Sequence, residues 1–335
     1  PACARLFSAM DPAPAPIVAV TRRTPGTITV PGAEVRVLGE SRPAREEVLR
    51  FVGEKGGASI ICSMFTDRID DELLDAAGPR LKGVCNFAVG YDNFDLDACR
   101  RRGIVVCNTP DAVTEGTANL AMLLLLAAAR RLIEADRYAR SDAYPEGGPL
   151  GMHDFMGQDL VGKLLLIVGA GRIGYATALR ARAFGMRIGY VARSRHIDFE
   201  MAPLGGERFE LEDGLRRADV VSVHTPLTPA TRHLLSRERI GLLKPTAIVV
   251  NTARGPVIDE AALAEALEAR RLWGVGLDVF EQEPEVHPVL RAHPRAVLTP
   301  HIGSAEARWR AAMAEMVSEN AAAILEGREP PNRVV

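Results

Sequence analysis

The sequence has no long hydrophobic run and no large excess of charge of either sign. Its longest apolar run, Leu120–Ala129, has 10 residues, which is too short to cross a bilayer. The 41 lysines and arginines nearly balance 43 acidic residues, so the formal net charge is −2. Such a chain has no strong electrostatic attraction for nucleic acid or for an anionic membrane. We therefore expect neither as a partner.

Cysteine is scarce, and its positions form no paired motif. The five cysteines include no CxxC pair and lie scattered in strand-like segments. This distribution favours small core residues in a reducing compartment, so we expect a cytoplasmic protein without a metal site. The N-terminus alternates Pro and Ala and lacks a convincing signal sequence, which predicts a disordered lead-in over residues 1–15.

Short apolar segments alternate with helical segments over the first hundred residues. The apolar pattern predicts strands at Ile17–Val20, Glu34–Leu38, Ala58–Cys62, Lys82–Asn86 and Ile104–Cys107. It predicts helices at Arg45–Glu54, Asp70–Ala77 and Asp95–Arg102. This order is typical of a small α/β domain.

The pattern changes after Pro110, and a second α/β domain is predicted. It begins with a long buried helix over Ala118–Leu132 and a loop over Tyr144–Gly157. Its predicted strands are Leu164–Val168, one ending at about Ala192, Val220–His224, Ala247–Asn251, Gly274–Leu277 and Ala296–Leu298. One predicted helix begins after Gly171, and the others cover Leu211–Arg216, Ser236–Gly241 and Glu260–Arg270. Alternation of strand and helix predicts a parallel, doubly wound sheet, after which the last helix, Ser304–Leu325, returns to the first domain.

A glycine-rich turn joins the first strand of this second domain to a helix. The turn contains Gly169, Gly171, Arg172, Ile173 and Gly174 in a GxGxxG pattern. The first glycine makes the tight turn, the second lets backbone approach a pyrophosphate, and the third lets the helix pack close to the strand. The helix N-terminus adds free N–H groups and a positive dipole end. The turn therefore predicts a dinucleotide site.

The end of the next strand bears on which dinucleotide binds. An acidic residue about 20 positions after the turn usually binds the ribose hydroxyls, but this chain has Ala192 there, followed by Arg193, Ser194 and Arg195. Two guanidinium groups and a hydroxyl suit a 2′-phosphate, since arginine pairs bidentately with phosphate and keeps its charge. We predict NADP in preference to NAD, with NAD as the alternative if these arginines are only solvated.

Three side chains of complementary chemistry follow successive strands of the second domain. Arg254, Glu283 and His301 lie where ligands bind in open α/β sheets, beyond the carboxyl ends of strands. The arginine suits a substrate carboxylate, the imidazole can protonate a carbonyl oxygen, and the glutamate can keep that imidazole charged. Each residue alone has a plain structural alternative, whereas the set together predicts reduction of a 2-oxo acid.

Seven segments of the chain together resemble the D-isomer-specific 2-hydroxyacid dehydrogenases, and within them the glyoxylate/hydroxypyruvate reductases. The resemblance runs from about Pro16 to the C-terminus. The segments are 86–93 (NFAVGYDN), 108–115 (NTPDAVTE), 223–228 (VHTPLT), 251–255 (NTARG), 276–278 (GLD), 277–284 (LDVFEQEP) and 299–304 (TPHIGS).

The resemblance implies two Rossmann-like domains with a substrate domain formed by both chain ends. Residues 16–109 and 300–335 then form the substrate domain, and residues 110–299 form the dinucleotide-binding domain. Backbone amides at Val89 and Gly90 are implied to hold the substrate carboxylate, and a homodimer through the cofactor domain is implied. Further cofactor contacts are implied at Thr117, Thr225, Pro226, Thr252, Ala253, Asp278 and Gly303.

Other functions stay open at this point. Corepressors that resemble the same family bind a dinucleotide and act as partner-binding modules. Reductases for other 2-oxo acids, of the 2-ketogluconate or phenylpyruvate type, are the main enzymatic alternative. A formate-dehydrogenase-like enzyme is disfavoured, because it would carry an amide where this chain has the ionisable Glu283.

Overall fold

The chain forms two compact units. The computed structural model describes residues 14–335, and the first thirteen residues of the expected lead-in lie outside the described residues. One unit contains the described residues up to Asp111 together with Arg310–Val335, and the other is Ala112–Trp309. The second boundary lies ten residues beyond the expected one. The amides of Ile302 and Gly303 bind Asp278, which keeps this segment in the second unit.

The first unit is built on a five-stranded parallel sheet. In chain order its strands are β1 (Ile17–Val20), β2 (Glu34–Val37), β3 (Ile60–Ser63), β4 (Gly83–Asn86) and β5 (Val105–Cys107). The spatial order is β2-β1-β3-β4-β5. Its helices are α1 (Arg45–Gly53), α2 (Asp71–Ala77) and α3 (Leu96–Arg101). Asp70 and Asp95 cap α2 and α3, each accepting a backbone N–H from the first turn.

The second unit is built on a seven-stranded parallel sheet. Its strands are β6 (Leu164–Val168), β7 (Arg187–Val191), β8 (Glu207–Arg208), β9 (Val220–Val223), β10 (Ile248–Asn251), β11 (Gly274–Leu277) and β12 (Ala296–Leu298). The spatial order, β12-β11-β10-β9-β6-β7-β8, reverses direction between β6 and β9. Ligands bind at such a reversal in open α/β sheets.

Helices cover both faces of this second sheet. They are α4 (Thr114–Ala129), α5 (Leu132–Ala139), α6 (Ala143–Gly147), α7 (Arg172–Ala183), α8 (Ile197–Glu200), α9 (Leu211–Arg217), α10 (Arg237–Ile240), α11 (Glu260–Glu268) and α12 (Pro288–Ala292). Leu164, Leu166 and Val168 of β6 enter one apolar core, whereas Leu165 and Ile167 enter the other. Burial on both faces explains why this strand is apolar throughout. The doubly wound α/β fold is confirmed.

The last helix, α13 (Ala307–Leu325), leads back into the first unit. The chain end pairs there with β5, because the N–H of Val106 donates to the carbonyl of Val335 and that of Asn108 donates to Asn332. Val334 and Val335 pack against the core of this unit. Both chain ends therefore build the first unit.

Two predictions between residues 114 and 157 are wrong in detail. The long helix expected at Ala118–Leu132 ends at Ala129, because Trp273 Nε1 and the N–H of Gln158 bind the last carbonyls, of Ala128 and Ala129. The chain then turns through Arg131 at a φ of 54° and begins α5. The segment expected as a loop over Tyr144–Gly157 contains most of the short helix α6.

The apolar helix α4 belongs to the core of its own unit. Eleven of its residues are buried, and it packs against α7, β10, β11 and β12. Among residues 14–335 no single helix has the length and apolarity needed to cross a membrane, and only the bent pair of α4 and α5 meets that test, by length and composition alone.

Candidate functional site

The glycine turn lies at the point where the second sheet reverses. Gly169 follows β6 with a φ of 105°, and a Cβ there would lie 2.7 Å from the carbonyl carbon of His224, which follows β9. A Cβ on Gly174 would lie 2.4 Å from the carbonyl oxygen of Gly169. By contrast, a Cβ on Gly171 would meet no atom within 4 Å. The first and third glycines are therefore required by packing, and the second borders open space at the N-terminus of α7, the kind of position that binds phosphate in turns of this pattern.

His224 is a buried imidazole that the sequence interpretation did not single out. Its Nε2 lies 2.8 Å from Oγ of Ser222, whereas its Nδ1 is buried without a partner among the described residues. Burial lowers the pKa of His224 to about 3, so the ring is neutral at neutral pH. A second buried polar atom without such a partner, Oγ1 of Thr252, follows β10. His224 directly precedes the predicted Thr225 and Pro226 in the chain, and Thr252, itself predicted, directly precedes Ala253.

The two predicted phosphate-binding arginines have different surroundings. Both are exposed, but Nε and an Nη of Arg195 contact one oxygen of Glu200, Oε2, at 2.7 Å and 2.5 Å. The hydroxyl of Tyr190 donates to the other oxygen of Glu200, at 2.7 Å. Arg195 and the tyrosine hydroxyl hold the pKa of Glu200 below its usual value. Sequence reasoning overlooked this carboxylate, five residues beyond Arg195.

Glu283 and His301 form a direct pair. Nδ1 of His301 lies 2.8 Å from Oε2 of Glu283, and Oε1 of the glutamate accepts the N–H of Phe280 at 3.1 Å. Burial alone would raise the pKa of Glu283, but the imidazole, this N–H and the charge of Arg254 hold it below its usual value. The glutamate is therefore an anion at neutral pH, bound to one ring nitrogen.

Asp278 holds the loop that carries His301. Its carboxylate accepts hydrogen bonds from Oγ1 of Thr299 at 2.6 Å, from N of Ile302 at 2.8 Å and from N of Gly303 at 2.9 Å. Its carbonyl accepts the N–H of His301 at 2.8 Å. Burial raises the pKa of this carboxyl, which is 1% exposed, although the three donors oppose the rise. The sequence singled out Asp278 as a cofactor contact and missed this loop-holding arrangement.

The loop of Arg254 packs on the loop of Glu283. Asn251, the last residue of β10, binds both ends of a tight turn: its Oδ1 accepts the N–H of Ala253 at 3.0 Å, and its Nδ2 donates to the carbonyl of Arg254 at 2.9 Å. A Cβ on Gly255 would lie 1.9 Å from the carbonyl carbon of Phe280, so only glycine allows this approach. The structure thus brings together the loops of all three predicted catalytic residues.

Three of the predicted cofactor contacts, Thr117, Asp278 and Gly303, also lie together. A Cβ on Gly303 would be 3.2 Å from Oγ1 of Thr117 and 3.3 Å from Oδ2 of Asp278. In the part of the chain that the structure describes, no group of three or more His, Cys, Asp or Glu side chains could hold a metal ion.

Val89 and Gly90 lie in the first unit, on a loop whose carbonyls are all bound. The carbonyl of Ala88 accepts from N of Thr109 at 3.0 Å, that of Val89 from Nδ2 of Asn108 at 2.9 Å, and that of Gly90 from Nδ2 of Asn86 at 2.7 Å. In a trans peptide the N–H points opposite to the carbonyl. The amides of Val89 and Gly90 therefore face away from these anchors. Both asparagines lie in the motifs quoted above, but their role was not foreseen.

A glycine turn at a sheet reversal, together with an imidazole–carboxylate pair at neighbouring strand ends, is typical of dinucleotide-dependent enzymes. A family model described as "D-isomer specific 2-hydroxyacid dehydrogenase, NAD binding domain" matches residues 122–303. Glyoxylate reductase of Thermococcus kodakarensis is 48% identical over 303 residues, 90% of this chain and 90% of that protein.

Solved structures agree over nearly the whole chain. A protein from Thermus thermophilus superposes with a TM-score of 0.86 at 45% identity, covering 95% of this chain and 100% of that one. An NADPH-dependent glyoxylate/hydroxypyruvate reductase from Sinorhizobium meliloti, solved with NADP and malonate, has a TM-score of 0.78 at 31% identity, covering 96% and 97%. This chain belongs to the D-isomer specific 2-hydroxyacid dehydrogenase family, and its cofactor is a nicotinamide dinucleotide.

Proposed function

We propose that this protein reduces glyoxylate or hydroxypyruvate to the corresponding 2-hydroxy acid, with NADPH as the hydride donor and His301 as the general acid. The observation that carries the proposal is the 2.8 Å contact between Glu283 and Nδ1 of His301. A carboxylate on one ring nitrogen favours the protonated imidazole, and in that form Nε2 carries the proton that the substrate takes in this proposal. Relatives named as glyoxylate reductases support the substrate class.

In this mechanism the protein's residues orient the substrate and move one proton. Arg254 pairs with the substrate carboxylate and polarises the adjacent carbonyl. When bound, the dihydronicotinamide supplies the hydride that reaches the carbonyl carbon. Nε2 of His301 gives its proton to the carbonyl oxygen, completing the hydroxyl, and the neutral imidazole then regains a proton from water. Glu283 stays anionic throughout.

The Val89–Gly90 loop is proposed to hold the substrate carboxylate. Three successive carbonyls of this loop are bound within the first unit, by Thr109, Asn108 and Asn86. The N–H groups of Val89 and Gly90 point opposite to the bound carbonyls of their own peptide groups and suit an anion, because successive backbone N–H groups form anion-binding concavities. This supports the role without requiring a charged side chain in the first unit.

NADPH is proposed as the preferred cofactor. Exposed Arg193, Ser194 and Arg195 offer two guanidinium groups and a hydroxyl after β7 that suit a 2′-phosphate, and Arg193 carries most of this argument because Arg195 is already paired with Glu200. The reductase from Sinorhizobium meliloti was solved with NADP. Steady-state KM values for NADPH and NADH test the preference: a KM for NADH equal to or below that for NADPH would contradict it.

The activity itself is tested by absorbance at 340 nm with a panel of 2-oxo acids and both cofactors. We expect oxidation of NADPH with glyoxylate or hydroxypyruvate. A higher kcat/KM with 2-ketogluconate or phenylpyruvate would instead identify that 2-oxo acid as the preferred substrate. Absence of turnover with every 2-oxo acid would favour a dinucleotide-sensing binding module.

His301→Ala tests the general acid. Loss of the proton donor is expected to lower kcat by about 10²–10⁴-fold, with the KM for NADPH little changed, since the dinucleotide turn is untouched. The matched control is His153→Ala, which removes an exposed histidine of the same unit. A kcat of His301→Ala within a few-fold of the wild type would contradict the role.

A homodimer through the second unit is also proposed. Large apolar side chains stay exposed there, among them Leu123 on α4, Leu132 on α5 and Met152 beyond α6, at 54%, 49% and 93%. Such surfaces favour association. The cytoplasmic location stays a prediction from the cysteine pattern, and the absence of nucleic-acid and membrane partners stays one from composition.

A further inference from the structure

Glu260 is a buried carboxylate with no place in the mechanism above. It is the first residue of α11 and is only 9% exposed. One oxygen accepts the N–H of Glu281 at 2.6 Å, and the other accepts the N–H of His287 at 3.1 Å. Two backbone N–H groups, six residues apart in the chain, thus converge on one carboxylate at the N-terminus of α11. Its placement therefore calls for an explanation beyond helix capping, which Asp259 already provides.

The two N–H groups that Glu260 binds lie on either side of Glu283. Between them the chain makes a tight turn, closed by a hydrogen bond of 2.9 Å from N of Glu285 to the carbonyl of Gln282. Glu283 projects from this turn, with Oε2 at 2.8 Å from Nδ1 of His301. One carboxylate thus holds both ends of the short loop that presents the partner of the imidazole.

Further charged groups lie around the carboxylate of Glu260 and the backbone that it binds. The carboxylate of Glu281 lies 2.6 Å from Nε2 of His233 and 3.1 Å from an Nη of Arg232, and its other oxygen accepts the N–H of Glu260 at 3.4 Å. The N–H of His233 in turn donates to the carbonyl of Pro256, two residues after Arg254. Through these contacts, Glu281 and His233 connect the loop of Arg254 to the loop of Glu283.

We propose that Glu260 is a positioning residue: by binding the N–H groups of Glu281 and His287, it sets the position of Glu283 against His301. The inference rests on the proposed function and adds a residue that does not touch substrate or cofactor. Glutamine at position 260 would keep one oxygen but turn an NH₂ group toward one of the two N–H donors, so one end of the loop would be released.

The test compares Glu260→Gln with Glu265→Gln, an exposed glutamate on the same helix that pairs with Arg237. For Glu260→Gln we expect kcat to fall about tenfold, a fraction of what removal of a general acid causes, and the high-pH limb of the kcat profile to move to lower pH. The Kd of the dinucleotide, measured by tryptophan fluorescence without turnover, is expected to stay within about twofold. Glu265→Gln is expected to match the wild type.

A double-mutant cycle separates positioning from general stability. In a Glu283→Gln background the same change at position 260 is expected to alter kcat less than about twofold, because the group it positions is already gone. An equal loss in both backgrounds, or a wild-type kcat for Glu260→Gln, overturns the inference. Glu260→Asp, which keeps the charge but is too short for both N–H groups, is the second variant if the glutamine variant does not fold.

A readout without turnover keeps this inference distinct from the proposed function. If the wild type reduces no 2-oxo acid, the proposed function fails, and NMR titration of the His301 ring then decides the inference. In Glu260→Gln we expect the ring to gain its proton at a lower pH than in the wild type. An unchanged titration overturns the positioning role whatever the substrate proves to be.

Discussion

His301 is the residue where backbone conformation and chemistry are most closely linked. Its φ of 56° lies in the left-handed region, which non-glycine residues seldom adopt. The surrounding structure compensates: Asp278 binds the next two N–H groups, of Ile302 and Gly303, and the hydroxyl of Thr299. Strain held in this way directs the imidazole toward Glu283. The sequence identified both Glu283 and His301, but it could not show which contacts hold the imidazole in its orientation toward the glutamate.

Glu283→Gln is expected to move the high-pH limb of the reductive kcat profile to lower pH. The reason is that a neutral amide no longer stabilises the imidazolium, so the general acid loses its proton earlier as pH rises. Steady-state rates from about pH 5 to pH 9 with saturating cofactor measure the shift. Glu285→Gln, an exposed neighbour on the same loop, is the control. Superimposable profiles for Glu283→Gln and the wild type would exclude the pairing as a functional feature.

His224 predicts an acid-sensitive component of stability. Its pKa is about 3 in the folded chain, against an ordinary value near 6.5. Between these values the unfolded chain binds the proton and the folded chain does not, so folding is fully favoured above pH 6.5 and weakens as pH falls toward 3. Compared with His224→Gln, the wild type should lose up to about 1.4 kcal/mol more unfolding free energy per pH unit in this window.

Urea unfolding at a series of pH values measures that difference, with His153→Gln as the exposed control. Subtracting the curve of His224→Gln from that of the wild type removes the contribution of the carboxylates to the pH dependence, because the carboxylates titrate alike in both proteins. Parallel curves for the wild type and His224→Gln would show that the ring protonates in the folded chain without cost.

Among the elements, the turn between β6 and α7 contains one glycine that packing requires, Gly174, and one that we expect to serve ligand binding, Gly171. Gly174→Ala is expected to lower stability by about 1–3 kcal/mol, since its Cβ would press on the carbonyl of Gly169 and on Ile167. Gly171→Ala meets no atom, so we expect an unchanged Tm but a dinucleotide Kd raised about tenfold or more. Thermal unfolding without ligand and fluorescence titration with NADPH give the two readouts. A lowered Tm for Gly171→Ala would refute this division of roles.

Local patterns predicted the elements of this fold better than their ends. The strands and the GxGxxG helix follow from apolar periodicity and glycine spacing, which act over a few residues. The end of α4 at Ala129 does not, because it depends on Trp273, more than a hundred positions away, binding the carbonyl of Ala128. The same limit applies to Glu260 and Asn108, whose partners become neighbours only after the sheets form.

For the molecule as a whole, we expect a dimer whose contacts involve the second unit. Leu123→Glu should raise the monomer fraction, because a charge would be buried against apolar side chains. The matched control is Val37→Glu, an apolar residue of the first unit that is 45% exposed. Light scattering coupled to size-exclusion chromatography across a range of concentrations gives the measurement. A monomeric wild type, or equal effects of both variants, would contradict the assignment.

The proposed catalytic residues Arg254, Glu283 and His301 all lie in Ala112–Trp309, whereas Val89 and Gly90 lie in the other unit. Under the proposed roles, the backbone amides that bind the acid group are encoded apart from the residues that polarise the carbonyl and deliver the proton. Substitutions in the Val89 loop can therefore change how tightly the acid group is bound while leaving the residues around the imidazole intact. Such a division lets substrate binding vary among related reductases while the residues that deliver the proton stay the same.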